Sequence, residues 1–387
     1  MNDTAAASTL KVVGQRPVRP DGADKVTGRA NFGADLKLPG MLTARVKRSP
    51  HAHARIVSID ASAALALPGV KAVVTSADFP AVDASAVAQG EGAATLADVS
   101  ANCMARGKAL YVGHAVAAVA ATSPEIADEA LRLIDVRYEV LPHVIDVEAA
   151  MAPGAPLLHE AMFTKGVTPK PEAPSNVAEK LVIGRGDVAA GFAQAEVVIE
   201  RRYATAPVHQ GYLEPHACVA SAGADGQHHV WCSSQGHFAI RAMCSKILAI
   251  PLQDLRVTPA EIGGGFGGKT TVYVEPVALA LSIKCGRPVR LVMSRDEVFN
   301  ASGPTSGSVI EIKLGATRDG KVTAAELVLK YQAGAFPGSP VSPGTMTALA
   351  CYAIENVSIT GYDVVSNRPK VAAYRAPGAP MVAFAVE

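Results

Sequence analysis

Gly263-Gly264-Gly265-Phe266-Gly267-Gly268-Lys269-Thr270, GGGFGGKT, is the stretch that decides how this chain is read. Gly263, Gly268, Lys269 and Thr270 satisfy the phosphate-loop spacing G-x-x-x-x-G-K-[ST]. Gly263, Gly265 and Gly268 equally satisfy the dinucleotide fingerprint G-x-G-x-x-G. A phosphate loop needs a strand before it, a helix after it and a downstream acidic residue for magnesium. The text supplies a strand in DLRVTPAE and a helix over about 272–284, but the next strand, LVMSRDE, sets Arg295 beside Asp296. The dinucleotide reading finds its acid too far on, and its fingerprint follows a whole foreign segment instead of heading a nucleotide fold. A third reading is that the glycines only permit tight packing of strand on helix.

Working outward, the 387 residues predict two domains, and 49% apolar with 18% charged residues predicts a globular chain with a large core. A net charge of +1 and a single Trp leave no electrostatic footprint for nucleic acid. The six cysteines (Cys103, Cys218, Cys232, Cys244, Cys285, Cys351) include no C-x-x-C pair, which argues against zinc and iron–sulfur sites and for free thiols in a reducing compartment. MNDTAAASTL has no secretory-signal pattern, and HAVAAVAA is too short to span a membrane, so the expected location is cytoplasmic.

Residues 1–25 read as an extended N-terminal arm ending near Arg16-Pro17-Val18-Arg19-Pro20. Within 26–150, MLTARVKRS, ARIVSID, VKAVVT, ALYVGHAVAAVAAT and DVRYEVLP read as strands, with a short helical run over Ala61–Leu67 and a low-contrast stretch at 81–100. Ser123, Pro124 and Glu125 open the clearest helix of this half, with Ile126, Ala130, Leu133 and Ile134 as its apolar positions. This mixture predicts one α+β unit. The proline-rich residues 151–180 read as a linker or wrap-around segment. The unit 181–387 opens with the strand EVVIERRYATA. It continues through HHVWCSS, a helix over about 237–249, the glycine loop, and the strand RPVRLVMS. The hairpin SVIEIKLGAT/KVTAAELVLKYQAG turns at Arg318-Asp319-Gly320.

EIGGGFGGK, preceded by SSQGHFAIRAMCSKILAIPLQDLRV and followed by a VEP-containing helix and GRPVRLVMSRDE, resembles the molybdopterin-binding subunit of the molybdenum hydroxylases, the xanthine oxidase and aldehyde oxidoreductase family. DGADKVTGRANFGADLKLPGMLTARVKRSPHAHARIVSID and YVGHAVAAVAATSPEIADEALRLIDVRYEVLP resemble its α/β hammerhead domain, and HQGYLEPHACVA and SNRPKVAAYRAPGAP are further landmarks. The resemblance covers the chain from about residue 12. It implies an α+β fold: a hammerhead domain followed by the first molybdopterin-binding domain. It also implies that Gly265, Phe266 and Gly267 lie beside the ligands of the metal, that Gln235 with Gly236 lies at its apical oxygen, and that Arg375 stands close by. The chemistry agrees, since a pterin-held oxo-metal centre needs close backbone approach and N–H donors. Read from the residues alone, Gln235 also suits a cap on the following helix, and Arg375 an ion pair. His209, Glu214 and His216 have metal-ligating chemistry, with Glu214 and His216 sharing one face if on a strand. No third ligand goes with that pair, and the family holds molybdenum through the pterin, so no direct side-chain ligand is expected.

The family's second molybdopterin domain carries a G-E-P-type motif whose glutamate is the catalytic base. Gly90-Glu91-Gly92 does not replace it, and Leu213-Glu214-Pro215 belongs to another landmark. The expectation is therefore half of a split catalytic subunit, as in bacterial nicotinate dehydrogenase, or a truncated chain, with no catalytic residue of its own. Its partners would be a chain with the second molybdopterin domain, an iron–sulfur subunit and an FAD subunit. The cofactor would be molybdenum–molybdopterin in its cytosine dinucleotide form. The implied reaction is hydroxylation of an electron-poor carbon with oxygen from water. Thr270, Ala376 and Pro377 are the expected substrate-pocket positions. Purine-oxidising relatives carry glutamate and phenylalanine at the first and third, and carbon monoxide dehydrogenases carry cysteine at the second. An N-heteroaromatic carboxylate or other heteroarene is the first expected substrate and an aldehyde the second. A cofactor-free scaffold and a nucleotide-binding protein are the readings from other classes.

Overall fold

The computed structural model describes residues 11–83 and 94–387; Gly90, Glu91 and Gly92 lie outside the described residues. Before residue 150 run β1 (Leu42–Arg48), β2 (Ala54–Asp60), β3 (Val70–Thr75), β4 (Lys108–Ala109), β5 (Ala115–Ala121) and β6 (Asp135–Val140). Then come β7 (Val177–Arg185), β8 (Val197–Thr205), β9 (Ala217–Ala222), β10 (His228–Cys232), β11 (Leu255–Pro259) and β12 (Val289–Val292). The last are β13 (Ser308–Ala316), β14 (Val322–Gly334) and β15 (Asn356–Val365). Mixed with helices, they give the expected α+β class.

The strands form three sheets, ordered β11-β10-β9-β12-β1-β5-β3, β7-β15-β14-β13-β8 and β4-β2-β6. The first draws β1, β3 and β5 from before residue 150 and the rest from after residue 181. Its join is the parallel pairing of β1 with β12, Leu42 opposite Val289. The two sequence units are thus connected by main-chain hydrogen bonds. β5 is AVAAVAA and is buried at every position. Ala118 and Ala120 face the large core with helix Glu275–Cys285. Ala117, Val119 and Ala121 face helix Pro124–Leu133, as a short unbroken apolar run predicts. The second sheet pairs antiparallel except for β14 and β15, which run parallel. Its core is closed by helices Val341–Thr347 and Ala379–Val386.

Several local expectations need correction. The arm is not extended throughout: Gly22–Thr27 is a helix closed by Gly28 at φ +75°, and Lys25 pairs with Glu261 at 2.7 Å, just ahead of the glycine loop. The low-contrast stretch holds helix Leu96–Cys103, opened by a reciprocal capping box of Thr95 and Asp98. The helix after the glycine loop starts at Glu275, not 272. The proline-rich segment is organised by buried Asn176, whose side chain donates to the carbonyls of Ala150 and Pro156 and accepts from the Leu158 N–H.

Candidate functional site

The interior glycines of the loop are demanded by contact. A Cβ on Gly265 would stand 2.4 Å from Gln235 Oε1, and one on Gly267 would stand 2.7 Å from the Ala373 carbonyl oxygen. Gly267 is also at φ +104°, and Phe266 before it takes φ +52°. For a residue with a side chain that conformation costs roughly 1–2 kcal/mol, and it leaves the Phe266 ring 51% exposed.

Gln235 stands two residues before helix His237–Ile247. That helix is capped at Gly236 without any side-chain bond, so Gln235 does not serve as its cap. Instead Gln235 Oε1 accepts from the Gly267 N–H at 2.8 Å and the Lys269 N–H at 3.2 Å. Its own N–H donates to the Lys269 carbonyl at 2.9 Å. No acceptor among the described residues engages Gln235 Nε2.

The third component is the strap Ala373–Pro377. Its Arg375 N–H donates to the Phe266 carbonyl at 2.9 Å, and its Ala373 carbonyl accepts from Gln210 Nε2 at 2.7 Å. The Arg375 guanidinium is exposed, with no ion-pair or hydrogen-bond partner among the described residues. Ala376 is an exposed turn at φ +62°. The structure therefore brings Gln235, Gly265–Gly267 and Arg375 together. Gly236 adjoins them as the helix cap, its N–H donating to Ser234 Oγ at 3.0 Å. Thr270 donates its hydroxyl to the Gly267 carbonyl at 2.9 Å. Pro377 does line a cavity, together with Ala373.

Beneath the loop lies a brace that the sequence reading missed. Glu214 Oε2 accepts from the Gly263 N–H at 2.7 Å and from Lys269 Nζ at 2.8 Å. The Lys269 side chain is 0% exposed and that of Glu214 9%. Burial lowers the Lys269 pKa, and the Glu214 carboxylate opposes that shift. The lysine of a phosphate loop must reach the phosphates; here it points into the core. The helix beyond is also unsuited to an anion, because Glu275 at its start is buried and accepts from the Tyr273 N–H at 3.1 Å. Both nucleotide spellings are coincidental.

Glu214 and His216 precede β9 and do not share a strand face: Glu214 goes to the loop, while His216 Nε2 lies 2.7 Å from the Tyr212 hydroxyl. His209 Nε2 meets Ser302 Oγ at 2.9 Å. Among the described residues no group of three or more His, Cys, Asp and Glu side chains is placed to hold a metal ion. Nor, among the described residues, is any helix long and apolar enough to cross a membrane.

Residues 169–387 match the molybdopterin cofactor-binding domain, and residues 27–142 match the aldehyde oxidase and xanthine dehydrogenase a/b hammerhead domain. The chain belongs to the molybdenum hydroxylases. It is 31% identical to the nicotinate dehydrogenase large molybdopterin subunit of Eubacterium barkeri, over 97% of this chain and 84% of that one. It is 35% identical to the carbon monoxide dehydrogenase large chain of Afipia carboxidovorans, over 85% of this chain and 40% of that one. The crystal structure of quinoline 2-oxidoreductase from Pseudomonas putida superposes with a TM-score of 0.80 at 31% identity, covering 94% of this chain and 46% of that one. The chain thus spans about half the length of several relatives it matches, and most of the Eubacterium subunit.

The residues fit a molybdenum–pterin group. Gly265 and Gly267 let Gln235 and the Ala373 strap close directly onto the loop. The N–H groups of Gly265, Phe266 and Ala376 donate to no acceptor among the described residues, leaving donors for an oxygen- and sulfur-rich anionic group.

Proposed function

We propose that this molybdenum hydroxylase chain forms one wall of a molybdenum–pterin centre that oxidises an electron-poor C–H carbon of an N-heteroaromatic compound, with water as the oxygen source. The observation that carries this reading is the junction of Gln235, the glycine loop and the Arg375 strap, with its uncommitted donors. The names of two relatives, nicotinate dehydrogenase and quinoline 2-oxidoreductase, support an N-heteroaromatic substrate.

When bound, the group would supply the two-electron and oxygen-transfer chemistry. Gly265 and Gly267 let Gln235 and the Arg375 strap pack directly against the loop that would face it. The Phe266 N–H and Gln235 Nε2 would hold it by hydrogen bonds, with Gln235 fixed in orientation because its Oε1 is already bonded twice to the loop. The Arg375 guanidinium would stabilise negative charge there. The proton is assigned to a glutamate of the second molybdopterin domain, and none of the residues at this junction is given that role. Iron–sulfur and FAD subunits would carry the electrons away, the pterin being the cytosine dinucleotide, in a cytoplasmic complex. Turnover of quinoline by the purified complex in ¹⁸O-water tests this reading. The expected product carries ¹⁸O at the oxidised carbon; product without the label, or none from any heteroarene or aldehyde, would sink it.

A further inference from the structure

The glycine loop is also held from behind by a segment far up the chain. After helix Gly22–Thr27 the backbone runs beside the stretch that leads into the loop. The Glu261 N–H donates to the Asn31 carbonyl at 3.0 Å, and Phe32 forms a parallel bridge with Glu261. On the outer side Lys25 Nζ stands 2.7 Å from Glu261 Oε2. The arm is therefore fixed to residue 261 through both main chain and side chain, two positions before Gly263.

Gly33 carries the contact inward. It is buried, and its N–H donates to Glu214 Oε1 at 3.3 Å. The other oxygen of that carboxylate accepts from the Gly263 N–H and from Lys269 Nζ, so one side chain ties the arm to both ends of the loop. Gly33 also sits against the ends of β9 and β10. A Cβ there would stand 2.8 Å from the Ala217 carbonyl oxygen and 3.2 Å from the Ser233 nitrogen. Those two groups are bonded to each other at 3.2 Å. Ser233 precedes Gln235 by two residues, and the Gln235 N–H returns to the Lys269 carbonyl. The contacts thus close a ring through Gly33, Glu214, Lys269, Gln235 and Ser233. Close-packed interiors transmit strain, so displacing one member of such a ring moves the others.

We infer that residues 25–33 are a latch that sets the geometry of the glycine loop and Gln235, with Gly33 as its positioning residue. The functional meaning of the latch rests on the function proposed above, because a loosely held loop retains a bound group poorly. The test is amide hydrogen exchange, read by mass spectrometry on the purified complex. In Gly33→Ala the peptides spanning residues 261–271 and 233–236 should exchange roughly tenfold faster, the effect of one added methyl in a packed site. Lys25→Met should speed the loop peptide about threefold, as expected for one partly exposed ion pair, and Lys25→Arg should leave it unchanged. The double variant Lys25→Met/Glu261→Gln should be no faster than Lys25→Met alone, since both remove the same contact. The peptide over helix Pro124–Leu133 should keep its rate throughout, which separates release of the latch from general loosening of the fold. Unchanged loop exchange in either Gly33→Ala or Lys25→Met, or equal acceleration of the helix peptide, would overturn the inference. If Gly33→Ala does not assemble, the Lys25 variants decide. Molybdenum release from the same samples should quicken in the order of loop exchange. A native complex without molybdenum would instead refute the proposed function, while the exchange rates would still report on the latch.

Discussion

Lys269 shows how a motif and a structure can part company. Its spelling with Gly263, Gly268 and Thr270 is that of a phosphate loop, yet its ammonium is buried against Glu214. Sequence spacing sets which residues share a loop, but not which way a side chain turns. The opposing pull came from Glu214, 55 positions away, whose partner could not be read from local text. Removing one member of a buried pair leaves the other charge uncompensated. Lys269→Met should therefore cost about 3–5 kcal/mol of stability in urea unfolding, and the double variant Glu214→Gln/Lys269→Met should recover much of it. Gly267→Ala acts differently: it sets a Cβ against Ala373 at positive φ, so the loop and strap should separate and molybdenum retention fall well below that of the unaltered complex. His216 sets a pH dependence. Burial, and secondly the Lys269 ammonium, push its pKa from 6.5 down to about 3. Between those values the unfolded chain binds the extra proton, so stability is fully present above pH 6.5 and is lost as pH falls toward 3. At pH 5 the loss is about 2 kcal/mol from this group. Unfolding midpoints at pH 7.5 and 5 should show His216→Gln losing less than the unaltered protein by about that amount. Equal acid sensitivity would contradict the assignment.

At the scale of elements, the sequence was most legible where local signals agree. Helix Pro124–Leu133 has its Ser123 cap bonded to the Ile126 N–H and Pro124 at the first turn. Ser123→Ala should therefore cost about 1 kcal/mol, read from a denaturation midpoint. Elements went unread where the signal was short or diluted. Thr95-Leu96-Ala97-Asp98 spells a capping box, but it sits at the end of an Ala/Gly-rich stretch that hides it. β15 alternates Val357, Ile359 and Gly361 on one face, with glycine weakening the pattern where helix Val341–Thr347 presses close: a Cβ at Gly361 would be 2.7 Å from Val341 and Thr345. Of this junction, the glycines have a physical reason in the contacts that exclude a Cβ at Gly265 and Gly267, whereas Gln235 and Arg375 entered through family resemblance alone. Gln210 and Glu214 were not legible as its supports, since each acts by reaching across the fold.

For the whole molecule, the seven-stranded sheet is the organising fact. It joins β1, near the start of the chain, to β12, nearly 250 positions later. The hammerhead segment thereby buttresses the sheet from which the glycine loop emerges. Arg48 on β1 adds a 2.7 Å ion pair to Glu297 on helix Arg295–Ala301. That helix also carries Arg295, which donates to the carbonyls of Tyr212 and Leu213 beside the Glu214 brace. The sequence divides the chain into two units, but pairing between distant strands follows from packing that no local pattern encodes. We propose that this framework holds the glycine loop against a molybdenum–pterin centre. The most direct test is elemental and pterin quantification of the complex purified from its native host, beside the same complex bearing Gly267→Ala. Close to one molybdenum and one pterin are expected for each copy of this chain, with a marked loss of both in the variant. A metal-free and pterin-free native complex, or an unchanged content in the variant, would contradict it.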